Sequence, residues 1–197
     1  MKDIERVKAS IKAAAAELFE HFGYDKTTLE DIANRANKAK TSVYYHFGGK
    51  LDVLSANLED EFDRIMDSLQ KIRDEHRDEI LPQFTTYLKT RMELIYQARL
   101  YRRCALDTFL GRGEVAEVVQ KQRSRFDMWE AAYFTGICNL ALERGVFSPA
   151  VKPATFGDMM TMLLKGLEFQ FFVTDDPCAS KATYDEVLER LLSGFCK

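Results

Sequence analysis

Proline is scarce in this chain: Pro82, Pro149, Pro153 and Pro177 are the only ones among 197 residues. Each falls where a helical pattern starts or stops, so none interrupts a helix interior. Runs of alternating β-branched residues are missing as well, which argues against a sheet. The four cysteines, Cys104, Cys138, Cys178 and Cys196, form no CxxC pair and no metal-ligand cluster. That spacing fits thiols in a reducing compartment rather than a disulfide framework. The most apolar C-terminal stretch is broken by Asp158, Lys165 and Glu168, so no transmembrane helix is expected. The charged N-terminal start does not resemble a signal peptide, and a cytoplasmic protein is expected. A basic excess is absent too, since the net charge is −3. Its distribution is uneven: residues 1–50 carry +2 and residues 51–197 carry −5.

Catalytic signatures are equally absent. No Gly-rich phosphate loop or nucleophile motif appears, and no cofactor is implied. A di-metal helical bundle needs Glu-x-x-His pairs. The positions three before His21, His46 and His76 hold Leu18, Val43 and Arg73 instead. An enzyme is therefore not expected.

What remains is an all-α pattern of about nine helices. Helix one spans about 3–22, with Ile4, Val7, Ile11, Ala14, Leu18 and Phe22 as its apolar stripe and Gly23 as its C-cap. A second helix, about 28–36, opens on Thr27-Thr28-Leu29-Glu30-Asp31, where either threonine can cap and Glu30 or Asp31 can complete a capping box. The polar turn Asn37-Lys38-Ala39 leads to a third helix at about 40–46, and Val43 and Phe47 point back to the core. Longer helices follow at about 50–76, 82–98, 100–110, 114–144, 154–173 and 183–195. Gly48-Gly49 marks the expected boundary between an N-terminal domain, 1–49, and a helical domain, 50–197.

Two short helices joined by a tight turn suit the major groove, where the second presents side chains to base edges. The surface of helix three offers Lys40, Thr41, Ser42, Tyr44, Tyr45 and His46, with Lys50 and Thr28 placed for phosphate. The run Thr27-Thr28-Leu29-Glu30-Asp31-Ile32-Ala33, then Ser42-Val43-Tyr44-Tyr45-His46-Phe47, then Lys50 and Leu54, resembles the DNA-binding signature of the tetracycline-repressor (TetR) family. The resemblance covers about residues 8–54. It implies that Thr28 contacts phosphate, that Lys40, Thr41 and Tyr45 face bases, and that Tyr44, His46 and Lys50 hold the DNA backbone. The chain departs from the family in the turn. Asn37 stands for the usual glycine, Lys38 for a buried aliphatic, Ala39 for a capping serine, and Thr41 for a common glycine. Ala39 cannot cap, a loss of about 0.5–2 kcal/mol.

Within 50–197 the aromatic residues cluster. Phe126, Trp129 and Tyr133 share a helix face. Core is the default reading of such a stripe. The family resemblance implies instead a pocket for a small apolar or aromatic effector, for which Phe62, Met66, Tyr96, Cys104, Phe109, Phe126, Trp129 and Tyr133 are the candidates. The helix at 154–173 is apolar nearly all round, so it must be buried on several sides. Phe156, Met160, Leu163, Leu164, Leu167 and Phe171, with Val187, Leu188 and Leu191 on the last helix, are expected to form a homodimer interface. A two-fold dimer would set two recognition helices on successive major grooves of a near-palindromic operator. The expected function is a repressor, released from DNA by a small molecule. The alternative is a helix-turn-helix regulator without a small-molecule effector, controlled by a protein partner or by redox state.

Overall fold

The computed structural model describes residues 2–75, 79–109, 113–173 and 181–196; the side chains of 2, 106–109, 170–173 and 181–182 are not described. Phe109 and Phe171 therefore lie outside the described side chains, and Cys178 and His76 outside the described residues. Nine helices are present among the described residues: α1 (Lys2–Phe22), α2 (Leu29–Arg35), α3 (Lys40–His46), α4 (Lys50–Glu75), α5 (Ile80–Gln97), α6 (Arg99–Phe109), α7 (Gly113–Glu143), α8 (Pro153–Val173) and α9 (Lys181–Ser193). The all-α expectation holds. The sole β feature among the described residues is an isolated bridge between Phe147 and Cys196.

The chain divides into two compact units. The first comprises Met1–Arg64 and Ala98–Arg123, and the second Ile65–Gln97 and Ser124–Lys197. In the first unit α1 packs on α2 and α6, and α2 packs on α3. The buried face of α1 is Ile11, Ala14, Ala15 and Phe19. This corrects the expected stripe at both ends, because Ile4 is 43% and Phe22 50% exposed. Two alanines thus share the buried face with Ile11 and Phe19. From α4, Val53, Leu54, Leu58 and Phe62 are fully buried. Phe62 meets Tyr101 of α6 edge-on at 5.1 Å. The N-terminus of α6 is capped from α4: Glu61 accepts from the N–H of Tyr101 at 2.8 Å and of Leu100 at 3.4 Å. Burial pushes the Glu61 carboxyl above its ordinary range, although these two N–H groups pull the other way.

The core of the second unit is aromatic. Phe84 and Tyr87 of α5 meet Phe134 and Tyr133 of α7, and Phe84 meets Phe156 of α8. A charged group sits among them. Arg91, without exposed surface, donates to Glu130 through Nε at 2.6 Å and Nη2 at 2.8 Å, and Nη2 lies 2.5 Å from Glu168. Tyr87 donates to the same Glu130 at 3.0 Å. From α9, Tyr184 donates to the carbonyl of Leu88 at 3.2 Å. No helix among the described residues is long and apolar enough to cross a membrane.

Candidate nucleic-acid interface

The site is built by helix ends. Thr28 caps α2 in a reciprocal box. Its Oγ1 accepts from the N–H of Asp31 at 3.1 Å, and the Asp31 carboxylate accepts from the N–H of Thr28 at 2.9 Å and from its hydroxyl at 2.6 Å. These hydrogen bonds, the side-chain one foremost, hold the Asp31 carboxyl below its ordinary range. Of the two expected choices at this cap, Thr28 and Asp31 are therefore used. Thr27 is buried instead, and its hydroxyl donates to the carbonyl of Gly23 at 2.8 Å.

The turn from α2 to α3 depends on Asn37, whose φ of 53° lies in the left-handed region. The N–H of Lys38 reaches the carbonyl of Ala33 at 2.9 Å, and that of Asn37 reaches Asn34 at 3.1 Å. This pair of bonds closes a helix around a left-handed residue, a place asparagine tolerates without glycine. Helix α3 then begins at Ala39, which makes no side-chain cap, as its methyl group dictates.

Helix α3 is anchored by one side chain. Val43 is fully buried, whereas Phe47, expected in the core, is half-buried in the extended C-cap. The other face is open: Tyr44 is 53% and Tyr45 78% exposed. Lys40 and Thr41 are exposed, and Ser42 and His46 are half-buried. Lys40 lies 3.7 Å from the Glu30 carboxylate, and the rings of Tyr45 and His46 meet edge-on at 5.0 Å. Large exposed aromatics beside a lysine and a threonine, with no acid on α3 itself, suit base edges and phosphates.

Lys50 behaves differently from its neighbours. Its ammonium donates to the carbonyl of Tyr24 at 2.8 Å and lies 4.0 Å from the Tyr24 ring centroid. Tyr24 was not singled out in the sequence. It packs on Phe19 with centroids 5.7 Å apart, and its hydroxyl donates to Glu114 of α7 at 2.8 Å. Burial, then the Glu114 hydrogen bond, push the Tyr24 hydroxyl above its ordinary range. Ninety residues separate Tyr24 from Glu114, so no local pattern announced the pair. Two ion pairs steady α1: Arg35 of α2 forks onto Glu17, and Lys12 reaches Asp60 of α4 at 2.5 Å.

The candidate effector residues are not all in one unit. Phe62 and Cys104 are buried in the first. Met66, Tyr96, Phe126, Trp129 and Tyr133 belong to the second, where Phe126 stacks on Trp129 and Tyr133 on Tyr87. Tyr96 is 55% exposed. Of the candidate dimer residues, Phe156, Met160, Leu164 and Leu188 are buried within this chain, Leu167 and Leu191 are half-buried, and Leu163 and Val187 face outward. Met162 and Met128, not among the candidates, are 69% and 74% exposed.

Comparison with known proteins agrees with the geometry. Residues 11–56 match the model of the bacterial regulatory proteins of the tetR family. A stretch of 70 residues is 36% identical to the biofilm operon icaADBC HTH-type negative transcriptional regulator IcaR of Staphylococcus epidermidis, and it covers 36% of this chain and 38% of that protein. A TetR-family transcriptional regulator from Pectobacterium atrosepticum superposes with a TM-score of 0.77 at 21% identity, over 100% of this chain and 97% of that one. SmeT, solved in complex with triclosan, superposes with a TM-score of 0.76 at 19% identity, over 98% and 92% of the two chains. The whole chain thus has the fold of these regulators, and the matched family consists of DNA-binding regulators rather than enzymes.

Proposed function

We propose that this chain, whose residues 11–56 carry the DNA-binding module of the TetR family, is a transcriptional repressor that grips a near-palindromic operator as a homodimer and lets go when a small molecule binds. The observation that carries the DNA reading is the open face of α3. Tyr44 and Tyr45 are exposed although both are large and aromatic, while Val43 of the same helix is fully buried. A helix held by one face and bare on the other is what groove insertion requires. Lys40, Thr41 and Tyr45 are assigned to bases, and Thr28, Tyr44 and His46 to the backbone, with Ser42 at the edge of that face. Lys50 joins them by exchanging its Tyr24 carbonyl for a phosphate. The functional DNA-binding domain is residues 1–49, a part of the first compact unit, and residues 50–197 serve the effector and the second subunit.

Dimerisation is proposed through the outward apolar side chains of α8 and α9, Leu163, Met162 and Val187, with Leu167 and Leu191 at their border. Repression is supported by the resemblance to IcaR, a negative regulator, and effector control by the likeness to SmeT, which was solved with triclosan. In the proposed cycle the effector favours the state in which the recognition helices no longer match the groove spacing. DNA must then weaken the effector by the same factor. Such a regulator acts in the cytoplasm.

The test is selection of DNA from a random pool by the full chain, followed by footprinting at moderate salt. A protected near-palindrome is expected, and its absence would sink the reading. In the same assay Tyr45→Ala should lose preference for the selected site by about 10-fold or more while retaining salt-dependent affinity for unrelated DNA.

A further inference from the structure

Arg73, in the last turn of α4, lines a cleft of about 300 Å³ in the second unit, together with Gln70, Gln83, Tyr133, Gly136 and Ile137. The volume is at the lower end for small-molecule sites, which run from roughly 300 to 1,000 Å³. The arginine is placed by stacking. Its guanidinium carbon lies 4.7 Å from the Tyr133 ring and 5.6 Å from the Trp129 ring, and Tyr133 is in turn stacked at 4.1 Å on Tyr87. Tyr87 is fixed by its bond to Glu130 in the buried Arg91 group. One Arg73 nitrogen, Nη1, donates to Gln70 at 2.9 Å, and the Arg73 carbonyl accepts from Gln83 at 2.9 Å. No carboxylate forms an ion pair with Arg73 among the described residues. The nearby acid, Asp74, accepts from Gln70 at 3.2 Å and also lines the cleft.

Two further features point to an occupant. Tyr133 is 4% exposed, and its hydroxyl is buried without a hydrogen-bond partner among the described residues. Like any tyrosine it is protonated at neutral pH and can donate, and burial pushes its pKa further above the ordinary range. A donor removed from water and left unpaired is costly unless something accepts from it. The second feature is Gly136. It sits in the interior of α7, where glycine is unfavourable relative to alanine, and a Cβ added there would meet nothing within 4 Å. The glycine leaves one wall of the cleft unfilled beside Ile137.

We infer that this cleft binds a small aromatic carboxylate, with the anion on Arg73 and the Tyr133 hydroxyl and the ring against Gly136 and Ile137. Guanidinium recognises carboxylate in a planar, two-pronged manner, and a stacked arginine loses little freedom in doing so. The inference deepens the proposed effector control and rests on it, because it names the chemical class of the effector.

The experiment titrates the full chain, free of DNA, with benzoate, phenylacetate and indole-3-acetate and with the matching neutral amides, read by calorimetry. At least one acid is expected to bind, with its amide at least tenfold weaker. Arg73→Gln should remove that discrimination. Tyr133→Phe should weaken the acid about tenfold while leaving thermal stability equal or higher, since only an unpaired hydroxyl is lost. Gly136→Leu should fold normally and fill the cleft, abolishing binding. Failure of all three acids to bind at millimolar concentration overturns the inference, as does equal binding to wild type and Arg73→Gln. Operator release is then measured separately. An acid that binds here without releasing DNA leaves the cleft assignment standing and removes effector control through it.

Discussion

Thr28 and Ala39 occupy the same position on successive helices, and only one of them carries a side chain that can cap. Thr28 forms a reciprocal box with Asp31, whereas Ala39 leaves the first N–H groups of α3 without a side-chain partner. Ala39 already has extended backbone, φ −70° and ψ 146°, which a capping serine also adopts. Ala39→Ser should therefore stabilise the chain by about 1 kcal/mol, raising Tm by roughly 2–4 °C in a thermal melt. Glu61 is a residue of the opposite kind, a cap whose charge is held in a buried place. Its carboxyl pKa is raised on folding, so its favourable contribution is full below the ordinary glutamate range and is lost as pH rises through the folded value. Glu61→Gln keeps an acceptor for the Tyr101 N–H without the charge. Its unfolding free energy at pH 7 should equal or exceed wild type, while Glu61→Ala should lose about 1 kcal/mol with the cap. Urea unfolding of both variants at pH 5 and pH 7 checks the sign.

At the scale of elements, helix ends were legible because they depend on residues adjacent in the chain. Gly23 ends α1 at φ +83°, Thr28 starts α2, and the α3 limits at 40–46 match the expectation. Helix faces were less legible. Periodicity alone cannot say which of two overlapping stripes a neighbour will cover, and α1 buried Phe19 and Ala15 where Phe22 was expected. On α8 the all-round apolar pattern resolves into a buried line of Phe156, Gly157, Met160 and Leu164, with Met162 and Leu163 outside. Gly157 belongs to that line for a reason of space. A Cβ there would come within 2.8 Å of the Ala131 carbonyl of α7 and would press on the Thr135 side chain. Gly157→Ala gains about 1 kcal/mol in helix propensity but forces a backbone apart, at about 1–3 kcal/mol. The crowding term should win, because a carbonyl inside a helix cannot rotate away. A lowered Tm in a thermal melt is the expected result.

For the molecule as a whole, the buried Arg91, Glu130 and Glu168 group ties α5, α7 and α8 together in the second unit. Removing one member of such a group leaves uncompensated charge in the core, at about 3–5 kcal/mol, far more than the lost bonds alone. Arg91→Met should unfold at much lower urea than wild type at pH 7. Adding Glu130→Gln to Arg91→Met should recover part of the loss in the same urea titration, since one stranded charge is removed; no recovery would mean that packing, rather than charge, accounts for it.

The sequence by itself determined the all-α class, the ends of α1 to α3 and the helix-turn-helix, because capping, left-handed turns and periodicity act over a few neighbouring residues; α5, expected to open at about 82, begins two residues earlier at Ile80. It also placed Val43 inside and Tyr44 and Tyr45 outside, since a seven-residue helix has room for a single anchored face. Tertiary structure decided everything that joins distant positions: Tyr24 to Glu114, Arg91 to Glu130 and Glu168, and Arg73 stacked on Tyr133. Those partners lie 39 or more residues apart, and such pairings are chosen by which helix faces pack together rather than by any pattern along the chain.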